Sequence, residues 1–284
     1  MNNVRTLPYL LLLPATAFLL VFFLLPFFGV AVEAFTGPGG ELGFANFQSI
    51  AFDWKFWPAI TNTLTLTALV VPIQLALALA MASLVMSLKA GRDVVLYIFT
   101  IPLGISDLAA GIVWLAILEQ NGFLNGFLHA LGLIDGPQNL LTYNNLPALF
   151  VAVVAAEIWR ATAIILVILV AGMGLIPKEY HEAAEVFGAG RWTRFRKITL
   201  PLLRPSLQTA LILRVILSFE VFAVVAVLAG SNLPVLMGET FEWQFNLQDS
   251  KGAAAYAMIV LGLSIAFTVA ILWLLRDRTK GETA

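Results

Sequence analysis

The sequence predicts an all-α integral membrane protein of six transmembrane helices, with both termini on the cytoplasmic side. Three observations predict it. The 284 residues are 60% hydrophobic and only 12% charged, with a mean hydropathy of +0.92. Apolar runs of 18 or more residues recur along the chain, the length a helix needs to cross about 30 Å of hydrocarbon. The lysines and arginines lie almost entirely on one side of those runs, the asymmetry that orients membrane helices.

The same composition excludes several functions. A net charge of −1 does not suit a nucleic-acid binder, which would be clearly basic. Without cysteine there is no disulfide, thiol nucleophile or thiolate metal site. His129 and His181 are too few and too far apart to suggest a metal centre, so no metal-binding residue is assigned. No residue pairing supports hydrolytic or redox catalysis, so the chain reads as a non-enzyme. It also lacks the G-x-x-x-x-G-K-[ST] phosphate loop, and indeed any Gly-Lys pair.

The elements follow in order as spans 8–35, 61–88, 94–118, 147–174, 203–229 and 253–275, in one domain covering residues 1–284. The first could imitate a signal peptide, because Arg5 precedes an apolar run. That run reaches Phe35, far beyond a signal core of about 7–15 residues, and reads as an uncleaved helix. Pro14 and Pro26 inside it are tolerable in a membrane helix. An outer loop over 36–60 holds Gly37–Gly40 and the interfacial anchors Trp54 and Trp57. Within the third span Pro102–Gly104 mark a break, and Asp107 beside Ser106 is placed to cap the kink. The stretch "GFLNGFLHALGLIDG" in the loop 119–146 is amphipathic enough to lie along the outer surface. The loop 230–252 carries Glu239, Glu242 and Asp249. There is no convincing repeat.

Orientation follows from charge. Arg5, Lys89, Arg92, six basic residues from Lys178 to Arg204, and Arg276, Arg278 and Lys280 fall on one side. The other side has Lys55 and Lys251 alone. Twelve against two places both termini and the loop 175–202 in the cytoplasm.

That loop concentrates the polarity of an oily chain. Pro177 suits the first position of a helix, and "KEYHEAAEVF" supplies helix formers. Gly188 stands where a left-handed residue would end it. A second helical stretch, "RWTRFRKI", leads through Pro201 and Pro205 into the fifth span. The small pair Ala183-Ala184 between Glu182 and Glu185 would let another protein approach closely, with carboxylates at its rim. The residues alone leave two readings open, such a docking helix or a surface loop whose arginines merely set topology.

Five charges fall inside predicted spans, where each is costly and a functional candidate by default: Asp107, Glu157, Arg160, Arg214 and Glu220. Glu157 and Arg160 share a helix face and form a local pair, with a gate or solute role open. Arg214 and Glu220 face differently, and each needs another partner. Arg214 lies about 15 Å past Pro205 along the helix, near the midplane where transported solutes bind. Trp114, Trp159 and Trp243 are candidates for stacking on sugar rings.

"EAAEVFGAGRWTRFRKITLP" resembles the EAA motif of the permease subunits of binding-protein-dependent ABC importers, in the carbohydrate-uptake branch typified by maltose and glycerol-phosphate importers. Glu182-Ala183-Ala184, Gly188, Ile198, Leu200 and Pro201 match it in register. So do "LIPKEYHEAA", "LPLLRP", the N-terminal "LPYLLLLPATAFLLVFFLLPFFGVAVEAF", "NTL" at 62–64, "IPLGISDLAAGIVWLAILEQNGFLNGFL" and "SFEVF" at 218–222. "AVLAGSNLPVLMGETFEWQFN" resembles the first-type permease of such pairs. One position departs: the family usually has Asp before the motif glycine, and here it is Phe187.

The resemblance implies the type I importer permease fold and a role in ATP-driven uptake of a sugar or polyol through the prokaryotic cytoplasmic membrane. It implies that the loop 175–202 forms a coupling helix docked on a cytoplasmic ATPase, with Glu182 pairing to a basic residue, Ala183 and Ala184 permitting approach and Gly188 making the turn. His181 and Phe187 would share that interface. The implied partners are a second permease subunit, two ATPase subunits and an extracytoplasmic solute-binding protein, in a lipid bilayer. No cofactor is expected on this chain, ATP and Mg belonging to the ATPase. An importer for a non-sugar solute and an ion-driven secondary transporter stand as alternatives.

Overall fold

A computed structural model describes residues 3–275, with side chains from Tyr9 onward. Arg276, Arg278 and Lys280, and the side chain of Arg5, which enter the charge asymmetry, lie outside it. Among the described residues the chain is helical throughout, apart from loops and one antiparallel bridge between Thr36 and Leu42.

Helices α1 (Asn3–Leu19) and α2 (Leu25–Phe35) are joined without a break by a π-turn, Leu20–Leu24. That turn precedes Pro26, whose ring would crowd a regular helix at the carbonyl four residues back. Every side chain from Tyr9 to Val30 is exposed. Among the described residues, hydrogen bonds tie down the C-terminal end of α2. Asn46, on the short helix α3 (Ala45–Ala51), donates to the carbonyls of Ala34 and Thr36 at 2.9 and 3.0 Å, and Ser250 bonds the Glu33 carboxylate.

The bundle proper is built on α4 (Phe56–Ser87) and α8 (Leu146–Gly174). Between them lie α5 (Arg92–Thr100), α6 (Asp107–Leu118) and α7 (Phe123–Ala130). After α8 come α9 (Lys178–Val186), α10 (Arg191–Arg194) and α11 (Leu200–Leu202). Then follow α12 (Arg204–Phe219), α13 (Ala223–Leu228), α14 (Leu236–Phe241) and α15 (Ser250–Leu274). In lipid the hydrophobic effect does not hold helices together, so close approach of small residues must. Ala78 and Ala82 of α4 are fully buried, as are Ala156 and Ala161 of α8 and Ala210 of α12. A Cβ on Gly172 of α8 would lie 2.2 Å from Ser206 Oγ, so only glycine permits that crossing.

The third span, expected over 94–118 with a break at Pro102–Gly104, is broken there: α5 with a 3₁₀ turn, Ile101–Gly104, meets the helical stretch Asp107–Ala130 at 95°. The cap is Ser106 rather than Asp107: its hydroxyl accepts from Ala109 N–H at 3.2 Å, and Asp107 sits in the first turn of α6. The fifth span is not continuous over 203–229 either. Helix α12 ends at Phe219, and Glu220–Phe222 form a break before α13. The loop 230–252 is also more ordered than its polarity suggested, containing α14 and a π-turn, Glu242–Asn246, that buries Trp243 against Tyr256 and Gly252.

Candidate functional site

Two arrangements stand out, one inside the bundle and one at its basic end. Inside, α12 carries Arg214 inward at a level where α4 offers Gln74 and α8 offers Glu157. Arg214 Nε donates to Gln74 Oε1 at 2.5 Å, and Nη2 donates to Glu157 Oε2 at 2.8 Å. Gln74 in turn donates to the Glu157 carbonyl at 2.7 Å, tying α4 to α8. One turn on, Arg160 pairs with Glu157 at 3.4 Å and with Asp107 of α6 at 2.8 Å. The chain Gln74–Arg214–Glu157–Arg160–Asp107 therefore crosses four helices with two acids and two cations, so it carries no net charge.

Self-neutralisation lets these charges stay in a low-dielectric interior, where an unpaired one would be prohibitive. Exposure rises along the chain. The side chains of Arg214 and Glu157 are 1% and 3% accessible, Arg160 14%, and Asp107 47%. Beside the inner end, Thr67 and Ser218 share a hydroxyl hydrogen bond at 2.9 Å. A void of about 10 Å³ lies between them, Arg214 and Glu157, and Arg214 Nη1 has no protein partner.

The local pair expected between Glu157 and Arg160 is present, but it is the longest link. The second partners sought for Arg214 are Glu157 and Gln74. Glu220 lies apart and exposed, at the break after α12. Gln74 was missed by sequence reasoning; the signal was a lone amide two residues past Pro72 in an otherwise apolar run. Trp114 and Trp159 meet edge to face at 6.4 Å near the exposed end of the charge chain. Trp243 is core.

At the basic end, Pro177 lies one position earlier than expected, as the residue flanking α9 rather than its first. Helix α9 closes as a Schellman motif. Gly188 has φ +74°, its N–H donates to the Glu185 carbonyl at 2.9 Å, and Ala189 N–H donates to the Ala184 carbonyl at 2.9 Å. Beyond the turn, Arg194 of α10 reaches back to Glu185 at 2.8 Å, fixing the two short helices against each other. Glu182, Ala183, Val186 and Phe187 are all exposed, whereas His181 and Ala184 are half-buried. Phe187 is 89% exposed at the tip. An aromatic ring so placed is an apolar surface without a partner among the described residues.

The described bundle thus holds a buried ionic chain and, at its basic end, an exposed, capped helix–turn–helix. Residues 74–280 match the family described as the binding-protein-dependent transport system inner membrane component, and the chain belongs to that family. It is 30% identical over 280 residues to the trehalose/maltose transport system permease protein MalF of Thermococcus litoralis, spanning 94% of this chain and 92% of that one. It is 28% identical to the sulfoquinovosyl glycerol transport system permease protein SmoG of Agrobacterium fabrum, over 96% and 92% of the two chains. Its fold matches that of a chain in a bacterial ABC transporter involved in import of the acidic polysaccharide alginate. The TM-score is 0.84 at 24% identity, over 97% of both chains. The protein is thus a multi-pass permease of an ABC importer with the type I fold, and the alternative of an ion-driven secondary transporter falls away.

Proposed function

We propose that this chain forms half of the translocation pathway for a sugar or related polyol, and that α9 couples it to a separate ATPase. The observation that carries the coupling role is the geometry of α9. It presents Glu182, Ala183 and Phe187 to solvent on a helix whose end is held by the Gly188 turn and the Arg194–Glu185 pair. A lever that transmits force must be rigid at its root and bare on its outer face, and α9 is both. Where the family usually places Asp, Phe187 would press an apolar ring into the partner's cleft. The sugar assignment rests on the relatives named for trehalose, maltose and sulfoquinovosyl glycerol.

In this reading the chain has six spans, with the third and fifth broken, and lies with both termini and α9 in the cytoplasm. Its partners are a second permease subunit, two ATPase subunits holding ATP and Mg, and an extracytoplasmic binding protein. Solute meets the accessible end of the charge chain, Asp107 and Arg160 with Trp159, and Glu220 at the break. Arg214 and Glu157 act behind it, fixing the helices that carry those groups. Reconstitution with the cognate subunits tests this, by uptake and ATP hydrolysis against mono- and disaccharides, polyols and sugar phosphates. One or a few sugars should stimulate both. Transport surviving Glu182→Arg together with Gly188→Pro would sink the coupling assignment.

A further inference from the structure

A groove of about 1140 Å³ opens at the root of α9, sharing His181 and Arg194 with the basic-end arrangement. Its mouth is ringed by Arg92, Lys178, Arg191 and Arg194, with His181 among them, and no Asp or Glu lines it. Arg194 is neutralised by Glu185, but Arg92, Lys178 and Arg191 have no carboxylate within 4 Å among the described residues. The walls are of opposite character. Ala76, Ala80 and Leu84 of α4, Met173 of α8, Ile176 just beyond it, and Trp192 and Phe195 line the groove. The lining on α4 runs from Ala76 to Ser87, about 16 Å at 1.5 Å per residue, so the apolar slot extends far up from its cationic mouth.

A site with three unpaired cations at one end and a deep apolar slot behind them matches an amphiphile with an anionic head. A soluble protein could meet the cations but not fill the slot, and a free anion would leave the slot bare. We propose that this groove binds an anionic phospholipid, its phosphate among Arg92, Lys178 and Arg191 and an acyl chain along α4. Basic pockets between membrane helices hold such headgroups, and each cation near the surface strengthens attraction to an anionic lipid about fivefold. The lipid would lie between α4 and the root of α9, so its binding would stiffen the junction of membrane and coupling helix.

The test is native mass spectrometry of the complete importer, extracted into detergent and titrated with phosphatidylglycerol or phosphatidylcholine. Phosphatidylglycerol should be retained preferentially, and Arg92→Gln with Arg191→Gln should weaken it on the order of 30-fold. Phosphatidylcholine adducts and the thermal midpoint in phosphatidylcholine should not change, which separates lost binding from lost folding. Equal retention of the two lipids, or undiminished phosphatidylglycerol binding in the double variant, would overturn the proposal. Displacement of the lipid by millimolar inorganic phosphate would overturn it in favour of a phosphate site. So would Ser83→Cys bearing a photo-crosslinker that captures the neighbouring permease or the ATPase instead of lipid.

Discussion

Arg214 illustrates how a single buried residue can tie three helices together. Its guanidinium is buried and aims two separate donors at acceptors on two helices, Nε at Gln74 and Nη2 at Glu157. Lysine offers one point charge and cannot reproduce that fork. Arg214→Met leaves Glu157 with only the longer 3.4 Å contact to Arg160. Breaking one half of a buried pair costs about 3–5 kcal/mol, so the variant should unfold at clearly lower temperature in detergent. Arg214→Met combined with Glu157→Gln removes both charges and should recover much of the loss. Recovery by Arg214→Lys alone would show that charge, not geometry, holds the site. A second residue makes a pH prediction. Glu239, on α14 in the loop between the last two spans, has its carboxyl pushed up to about 7 from an ordinary 4.5. Burial is the main cause, opposed by Lys55 at 3.9 Å and aided by Asp53 and Glu242. The folded state therefore holds this proton more tightly than the unfolded chain does. The stability it contributes is fully present below about pH 4.5 and is lost as pH rises through about 7, at most about 3 kcal/mol. Thermal midpoints between these limits should fall for wild type and stay flatter for Glu239→Gln.

At the scale of elements, tight helix crossings rest on glycines whose missing side chains are occupied by neighbours. A Cβ at Gly252 would sit 2.0 Å from Cε3 of Trp243, a rigid ring wedged between α14 and α15. The indole cannot bend aside as a flexible side chain would. Gly252→Ala should thus destabilise by about 1–3 kcal/mol, the usual range for overpacking. Gly262→Ala on the same helix meets nothing within 4 Å and should be neutral or stabilise by up to about 1 kcal/mol, so opposite signs in the two variants, compared by thermal unfolding, isolate the contact. The long elements were legible because twenty-odd apolar residues allow few other readings. So was the Gly188 turn, because a left-handed backbone position calls for a special residue. The break at Glu220–Phe222 was not legible. It contains neither proline nor glycine, and its stretch "SFEVFAVV" is as apolar as a continuous helix. Tertiary packing, with Phe222 stacked on Phe241 at 4.9 Å, decides it instead. The ionic chain was half legible. Each charge announced itself by its cost in a membrane, but pairings between residues 57 and 140 positions apart are set by helix packing that one sequence does not display.

For the whole molecule the decisive quantity is which way it faces, since coupling to a cytoplasmic ATPase requires α9 inside. Twelve basic residues against two set a strong expectation. The natural absence of cysteine makes the test clean, because any introduced thiol is the only one. Phe52, 90% exposed after α3, and Phe187, 89% exposed at the tip of α9, mark opposite ends of the molecule by this topology. In right-side-out vesicles a membrane-impermeant maleimide should label Phe52→Cys but leave Phe187→Cys unreacted. Opening the vesicles should expose Phe187→Cys when the permease is expressed without its ATPase. Co-expression of the ATPase should protect it again, while labelling of Phe52→Cys stays constant. Labelling of Phe187→Cys in sealed vesicles would invert the topology and remove the coupling role from α9. Labelling after opening with no protection by the ATPase would keep the topology but place the docking surface elsewhere. The two failures are distinguishable because orientation depends on summed charge, whereas protection depends on a contact at one exposed aromatic ring.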